Sequence, residues 1–133
     1  MGLDIFASRS EEDIMLTTPD LQAFSDAGID LCGGLFSGDP GSFRGKLYDT
    51  LLLDITHVNL YQPWIPPETV RAMYAALLNC VPAALLGTYQ EIAASLDCDY
   101  TGDSLEELTA DILELRKFFQ VCAERGLGLI GDY

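Results

Sequence analysis

The chain has 133 residues, of which 49% are apolar, and its 21 acidic and seven basic residues give a net charge of −14. This length and apolar content predict one folded domain rather than a disordered chain. Because nucleic-acid affinity comes largely from Lys and Arg that neutralise phosphates, we expect no direct binding to DNA or RNA.

No segment of the sequence predicts contact with a membrane. The longest apolar stretch, residues 75–87, is interrupted by Asn79 and Pro82, whereas a membrane-spanning helix needs about 20 apolar residues. The N-terminus lacks a basic region followed by an apolar core, so we expect no signal peptide. The four cysteines have no C-x-x-C spacing, which favours reduced thiols in a cytoplasmic protein.

Periodic apolar residues predict helices over residues 19–27, 44–55, 67–79, 89–96 and 104–125. Thr18 is the expected N-cap of the first helix, and Gly28 is its expected end. Pro82 should end or kink the third helix, because proline lacks the N–H that the helix ladder needs. The last helix has the clearest apolar stripe, with steps of three and four: Leu105, Leu108, Ile112, Leu115, Phe119 and Cys122.

Three short apolar segments, residues 3–7, 29–32 and 127–130, are the expected strands of a small sheet. The glycine-rich residues 33–45 are predicted to form a loop. The predicted fold class is therefore mainly α, with four to six helices and a small β element in a single compact domain of residues 1–133.

The glycine-rich loop leads into a predicted helix start, and two of the seven basic residues, Arg44 and Lys46, lie close to that start. Converging backbone N–H groups, a helix N-terminus and cationic side chains are the components of an anion site. We therefore predict Ser42, Arg44, Gly45, Lys46 and His57 as ligand-binding residues for a small anion or carboxylate. A plain connection whose cations offset nearby carboxylates explains the same residues. A nucleotide-binding P-loop is excluded, because its first glycine and its Ser or Thr after the lysine are missing.

His57 is the only histidine, and Asp54 lies one turn before it in a predicted helix. A histidine in this position can act as a general base. A helix cap or a packed side chain is the simpler interpretation.

Residues 97–108 resemble an EF-hand calcium loop. Asp97, Asp99, Thr101 and Gly102 occupy its first, third, fifth and sixth positions. Leu108 stands at the twelfth position, where a carboxylate must complete the ligand shell. We therefore expect a turn between two helices, and we expect no metal or cofactor.

Residues 61–67 contain the only tryptophan, Trp64, and three prolines. A rigid aromatic segment of this kind can present a contact surface to a partner. The preferred interpretation is that Trp64 closes one end of the core.

Three segments carry a resemblance to known sequences: the opening MGLDI, the CGG and SFRGK portions of residues 32–46, and the closing CAERGLGLIG. With these, the chain resembles a family of short, uncharacterised prokaryotic proteins. The resemblance implies no activity, and it points to the same glycine-rich loop.

The residues assemble no complete catalytic constellation, and whether the protein is an enzyme is left open. The preferred prediction is a small acidic interaction or regulatory protein, with a basic protein as its partner. The alternative is a ligand-binding protein or enzyme for a small anion or carboxylate, centred on residues 33–46.

Overall fold

The computed structural model describes residues 4–12, 15–28, 41–95 and 105–132. In chain order, its elements are β1 (Asp4–Ser8), α1 (Thr18–Ala27), β2 (Ser42–Arg44), α2 (Gly45–Thr56), α3 (Pro67–Asn79), α4 (Pro82–Ser95), α5 (Leu105–Arg125) and β3 (Gly128–Asp132). The described part is therefore mainly α with a small β element, as predicted. None of its helices is both long and apolar enough to cross a membrane.

The observed helix bounds show which residues determine where a helix starts and ends. α3 has the predicted bounds, and the chain at Gly28 and Gly126 is left-handed where α1 and α5 end. The N-cap of α1 is Thr17 rather than the predicted Thr18. Asp20 explains the difference, because its carboxylate accepts the Thr17 N–H at 2.9 Å while its own N–H donates to the Thr17 hydroxyl at 3.3 Å. This reciprocal capping box sets the helix start.

α4 begins at Pro82, seven residues before the predicted start of that helix. A proline breaks the interior of a helix, because it lacks the N–H that bonds to the preceding turn. Its fixed φ nevertheless suits the first turn of a new helix. Pro82 therefore separates two helices and starts the second, instead of kinking the first.

The three strands form an antiparallel sheet in the order β2-β1-β3. β2 corrects the prediction that residues 33–45 are entirely loop, while the strand predicted over residues 29–32 lies outside the described residues. Phe43 explains β2, since it pairs with Ile5 across the sheet and both side chains are fully buried. A strand of three residues is too short to produce a readable alternation.

α5 lies at the centre of the core and packs against α1, α3 and α4. The predicted stripe is buried from Leu108 onwards, together with Phe118 and Val121. Phe118 links the elements, since its ring centroid lies 4.9 Å from that of Phe43 on β2 and 5.1 Å from that of Phe24 on α1. Such aromatic contacts fix how α1 and the sheet lie against α5.

The Trp64 segment packs against β3. Ile65 and Leu129 exchange backbone hydrogen bonds of 2.8 and 2.9 Å, which extends the edge of the sheet by one bridge. The half-buried Trp64 ring lies directly over Gly128. A Cβ at Gly128 would lie only 2.6 Å from the Ile65 carbonyl oxygen, so only glycine permits this approach.

Candidate functional site

The residues predicted to bind an anion are only partly within the described structure. Ser42 lies in β2 and is buried, opposite Phe6 of β1. Gly45 and Lys46 form the first turn of α2, directly after Arg44 at the end of β2. The side chains of residues 44–47 and the whole of residues 29–40 lie outside the described part, so the anion site there stays a prediction.

His57 lies at the other end of α2. Its backbone is left-handed, with φ of 60°, and its N–H donates to the Leu53 carbonyl at 2.9 Å, which ends the helix. α2 separates it from Lys46 by roughly 16 Å along the helix axis. Its exposed imidazole has no hydrogen-bond partner among the described residues. The position is that of a helix cap, and the backbone does not bring His57 to the start of α2.

A charged cluster that the sequence analysis missed is centred on Asp20, whose side chain is 0% exposed. Arg9, just after β1, holds this carboxylate with two hydrogen bonds of 2.6 Å, from Nε to Oδ2 and from Nη2 to Oδ1. Arg125, at the end of α5, donates from Nε to Oδ1 at 2.6 Å. With the Thr17 N–H, the Asp20 carboxylate accepts four hydrogen bonds. The cluster therefore ties β1, α1 and α5 together.

These contacts determine the charge states of the cluster. The pKa of Asp20 lies far below its usual range. The main cause is the hydrogen bonds from Arg9, followed by those from Thr17 and Arg125, and burial opposes the shift. The same contact raises the pKa of Arg9. At neutral pH, two guanidinium groups therefore share one ionised carboxylate. The cluster has a net charge of +1 in a strongly acidic chain.

Cys122 lies fully buried on α5. Burial, and secondarily the negative charge of Asp20, raise the pKa of this thiol well above its usual value. The thiolate is the nucleophilic form of cysteine, so this protonated side chain is a packing residue. Cys80, the other described cysteine, is half-buried and donates to the Leu77 carbonyl at 3.2 Å.

Arg116 is also used inside the fold. Its Nε donates to the carbonyl of Leu77 at 2.8 Å, and its Nη2 donates to that of Cys80 at 3.4 Å. These carbonyls lie at the C-terminal end of α3, where the helix leaves acceptors unpaired and a positive charge is favoured. Arg116 therefore fastens α5 to the end of α3.

Three exposed apolar residues lie close in sequence to the residues of this contact. Leu78 and Val81 directly follow the two residues whose carbonyls Arg116 binds, and Leu113 lies one turn before Arg116 on α5. We call Leu78, Val81 and Leu113 the α3–α5 patch. Isolated exposed leucines are ordinary, but apolar side chains grouped at one helix junction are typical of contact surfaces.

The rest of the described surface is strongly acidic. Its exposed carboxylates are Glu11, Glu12, Asp26, Asp54, Glu68, Glu91, Glu106 and Glu124. Lys117 pairs with Glu114 at 2.9 Å, so Arg71 is the one described basic side chain that contacts no described partner. Within the described residues no three His, Cys, Asp or Glu side chains form a group that could hold a metal ion. The EF-hand-like turn lies outside those residues.

Comparisons of the chain with family models, with curated proteins and with solved structures found no match. The function proposed below therefore rests on the residues of this chain alone.

Proposed function

We propose that this protein is a non-enzymatic interaction protein that binds a basic segment of a partner protein. The observation that carries the proposal is the internal use of the described cations. Arg9, Arg116, Lys117 and Arg125 all contact groups of the fold, so Arg71 is the one described cation left to face the more numerous exposed carboxylates. A surface of one sign speeds the approach of an oppositely charged partner and repels others of its own sign.

The α3–α5 patch is the proposed contact point. Leu113 is 47% exposed, and the N-terminal half of α5 that leads to it carries the exposed Glu106. An apolar centre beside carboxylates fits an amphipathic helix with apolar and basic faces. The partner's basic residues would then meet the acidic part of α5 while its apolar residues cover the patch.

The chemistry of the described residues supports binding over catalysis. Cys122 is protonated and buried, and His57 has no described group that would orient its imidazole. A nucleophile needs an adjacent base, and a base needs an orienting partner. Neither pairing occurs in the described part of the chain.

The test uses a fluorescent amphipathic peptide made only of lysine and leucine at helical spacing, with binding followed by anisotropy. Binding should weaken steeply between about 50 and 200 mM salt, because salt screens the attraction between exposed charges. Leu113→Ala removes apolar area worth about 1 kcal/mol if a partner covers the exposed part, which corresponds to about fivefold weaker binding.

Leu53→Ala is the matched control, because Leu53 on α2 is 41% exposed but lies outside the patch. It should leave the affinity unchanged within about twofold. The proposal is wrong if the peptide does not bind at low salt, if salt has no effect, or if the two leucine variants weaken binding equally.

A further inference from the structure

A groove with a volume of about 440 Å³ lies between α1 and α5. Its walls include three small or medium apolar residues, Ala23 and Ala27 from α1 and Val121 from α5. Arg125 lines the groove as well and joins it to the Asp20 cluster. This volume is within the range of small-molecule sites in proteins.

Arg125 has unused hydrogen-bond donors. Of its five N–H donors only Nε–H contacts a described residue, and that contact turns the Nε edge of the guanidinium toward Asp20. The two terminal amino groups make no hydrogen bond within the described part of the chain. Because the side chain is only 31% exposed, an anion at those groups would meet less competition from water than at an open surface.

The charge of Arg125 is also available. Arg9 already binds both oxygens of Asp20, so one guanidinium balances that carboxylate and the second leaves the cluster with its net positive charge. An anion bound at Arg125 would therefore meet the net positive charge of the Asp20 cluster, while Asp26 and Glu124 in the groove wall oppose it. A planar carboxylate matches the fork of the terminal amino groups with two parallel hydrogen bonds.

Other groove residues narrow the ligand class. Asp26 and Glu124 line the groove, where they accept hydrogen bonds from Gln22 at 2.7 Å and Gln120 at 3.0 Å. These two negative charges disfavour a doubly charged phosphate more than a singly charged carboxylate. The apolar walls favour a hydrocarbon tail.

We propose that the groove between α1 and α5 binds a small monocarboxylate with a short hydrocarbon chain, with Arg125 receiving the carboxylate. The proposal is independent of partner binding at the α3–α5 patch. Leu113→Ala should therefore leave carboxylate binding unchanged.

The experiment measures hexanoate binding to the full chain by calorimetry and by thermal shift, with acetate and inorganic phosphate as comparison ligands. Hexanoate should raise the melting temperature with increasing concentration, as any ligand of the native state does. Acetate should bind more weakly by about fourfold for each methylene that the groove buries. Phosphate should bind more weakly than hexanoate.

Two variants and one control locate the site. Ala27→Leu fills the groove and should abolish the hexanoate shift, whereas Ala72→Leu, at an exposed position of α3, should retain it. Arg125→Lys keeps the charge but loses the fork and should weaken binding at least about tenfold. If Ala27→Leu does not fold, hexanoate binding to Arg125→Lys tests the proposal.

The proposal is overturned if hexanoate does not bind the wild type or if phosphate binds as well as hexanoate. It is also overturned if the folded variants bind hexanoate like the wild type.

Discussion

Replacement of Asp20 by Asn should destabilise the protein by about 3 kcal/mol. The amide has one oxygen in place of two, and its NH₂ group would face guanidinium donors, so at least two charge-assisted hydrogen bonds are lost. Each such bond contributes about 1.5 kcal/mol or more. The value stays at the low end for a broken buried ion pair, because Arg9 and Arg125 are 37% and 31% exposed and regain water. For a chain of this size the melting temperature should fall by about 10 °C.

Urea unfolding at pH 7, followed by circular dichroism, measures this loss. Asp26→Asn is the matched control, because Asp26 lies in the same helix, is exposed, and bonds only Gln22 among the described residues. It should change the free energy of unfolding by less than about 0.5 kcal/mol. Equal stability of the two variants would refute the argument that the cluster ties β1, α1 and α5 together.

Asp20→Asn also allows the contribution of Asp20 to the pH dependence of stability to be measured. Asp20 has a folded pKa far below its unfolded value of about 4, so its contribution is complete above that value and is lost as the pH falls toward the folded pKa. The difference in unfolding free energy between wild type and Asp20→Asn should therefore shrink between pH 5 and pH 3, a range chosen to span the unfolded pKa. A constant difference over that range would contradict the assignment of an ionised, arginine-bound carboxylate.

Three further substitutions test the backbone. Gly128→Ala should cost about 1–3 kcal/mol in urea unfolding, because its Cβ would collide with the Ile65 carbonyl, whereas Gly87→Ala in α4 meets open space and should stabilise by up to about 1 kcal/mol. If Gly128→Ala lowers the free energy of unfolding by less than an average surface substitution does, Gly128 does not lie this close to the Ile65 carbonyl. His57→Gly should raise the melting temperature, since glycine adopts the left-handed conformation without the strain of about 1 kcal/mol that histidine bears. A lower melting temperature would instead show that the imidazole makes a stabilising contact.

The helices were predictable where local chemistry determines them. Pro67 at the start of α3 and Gly126 after α5 act through their own backbone preferences, and the sequence displays both directly. The start of α4 was placed too late, because proline both ends one helix and starts another, and only the neighbouring elements decide between these effects. The pairing of Phe43 with Ile5 is a long-range contact, and a strand of three residues is too short for its sequence to predict the partner.

The Asp20 cluster could be predicted only in part. The spacing of Thr17 and Asp20 is that of a capping box, and the scarcity of basic residues makes each arginine conspicuous. Arg125, however, lies 105 residues from its carboxylate partner. Residue types and spacing carry no information about a pairing at that distance, since it depends on α1 packing against the end of α5.

The two kinds of charge in this protein differ in their response to salt, which separates folding from binding. Asp20 is inaccessible to solvent, and hydrogen bonds to Arg9 and Arg125 hold its charge at contact distance. Salt screens such a pair only weakly. The carboxylates of the acidic surface face solvent, so salt should suppress their attraction for a basic partner. At salt concentrations that abolish partner binding, the Asp20 cluster should still hold the fold, because its arginines bind a buried carboxylate at hydrogen-bond distance.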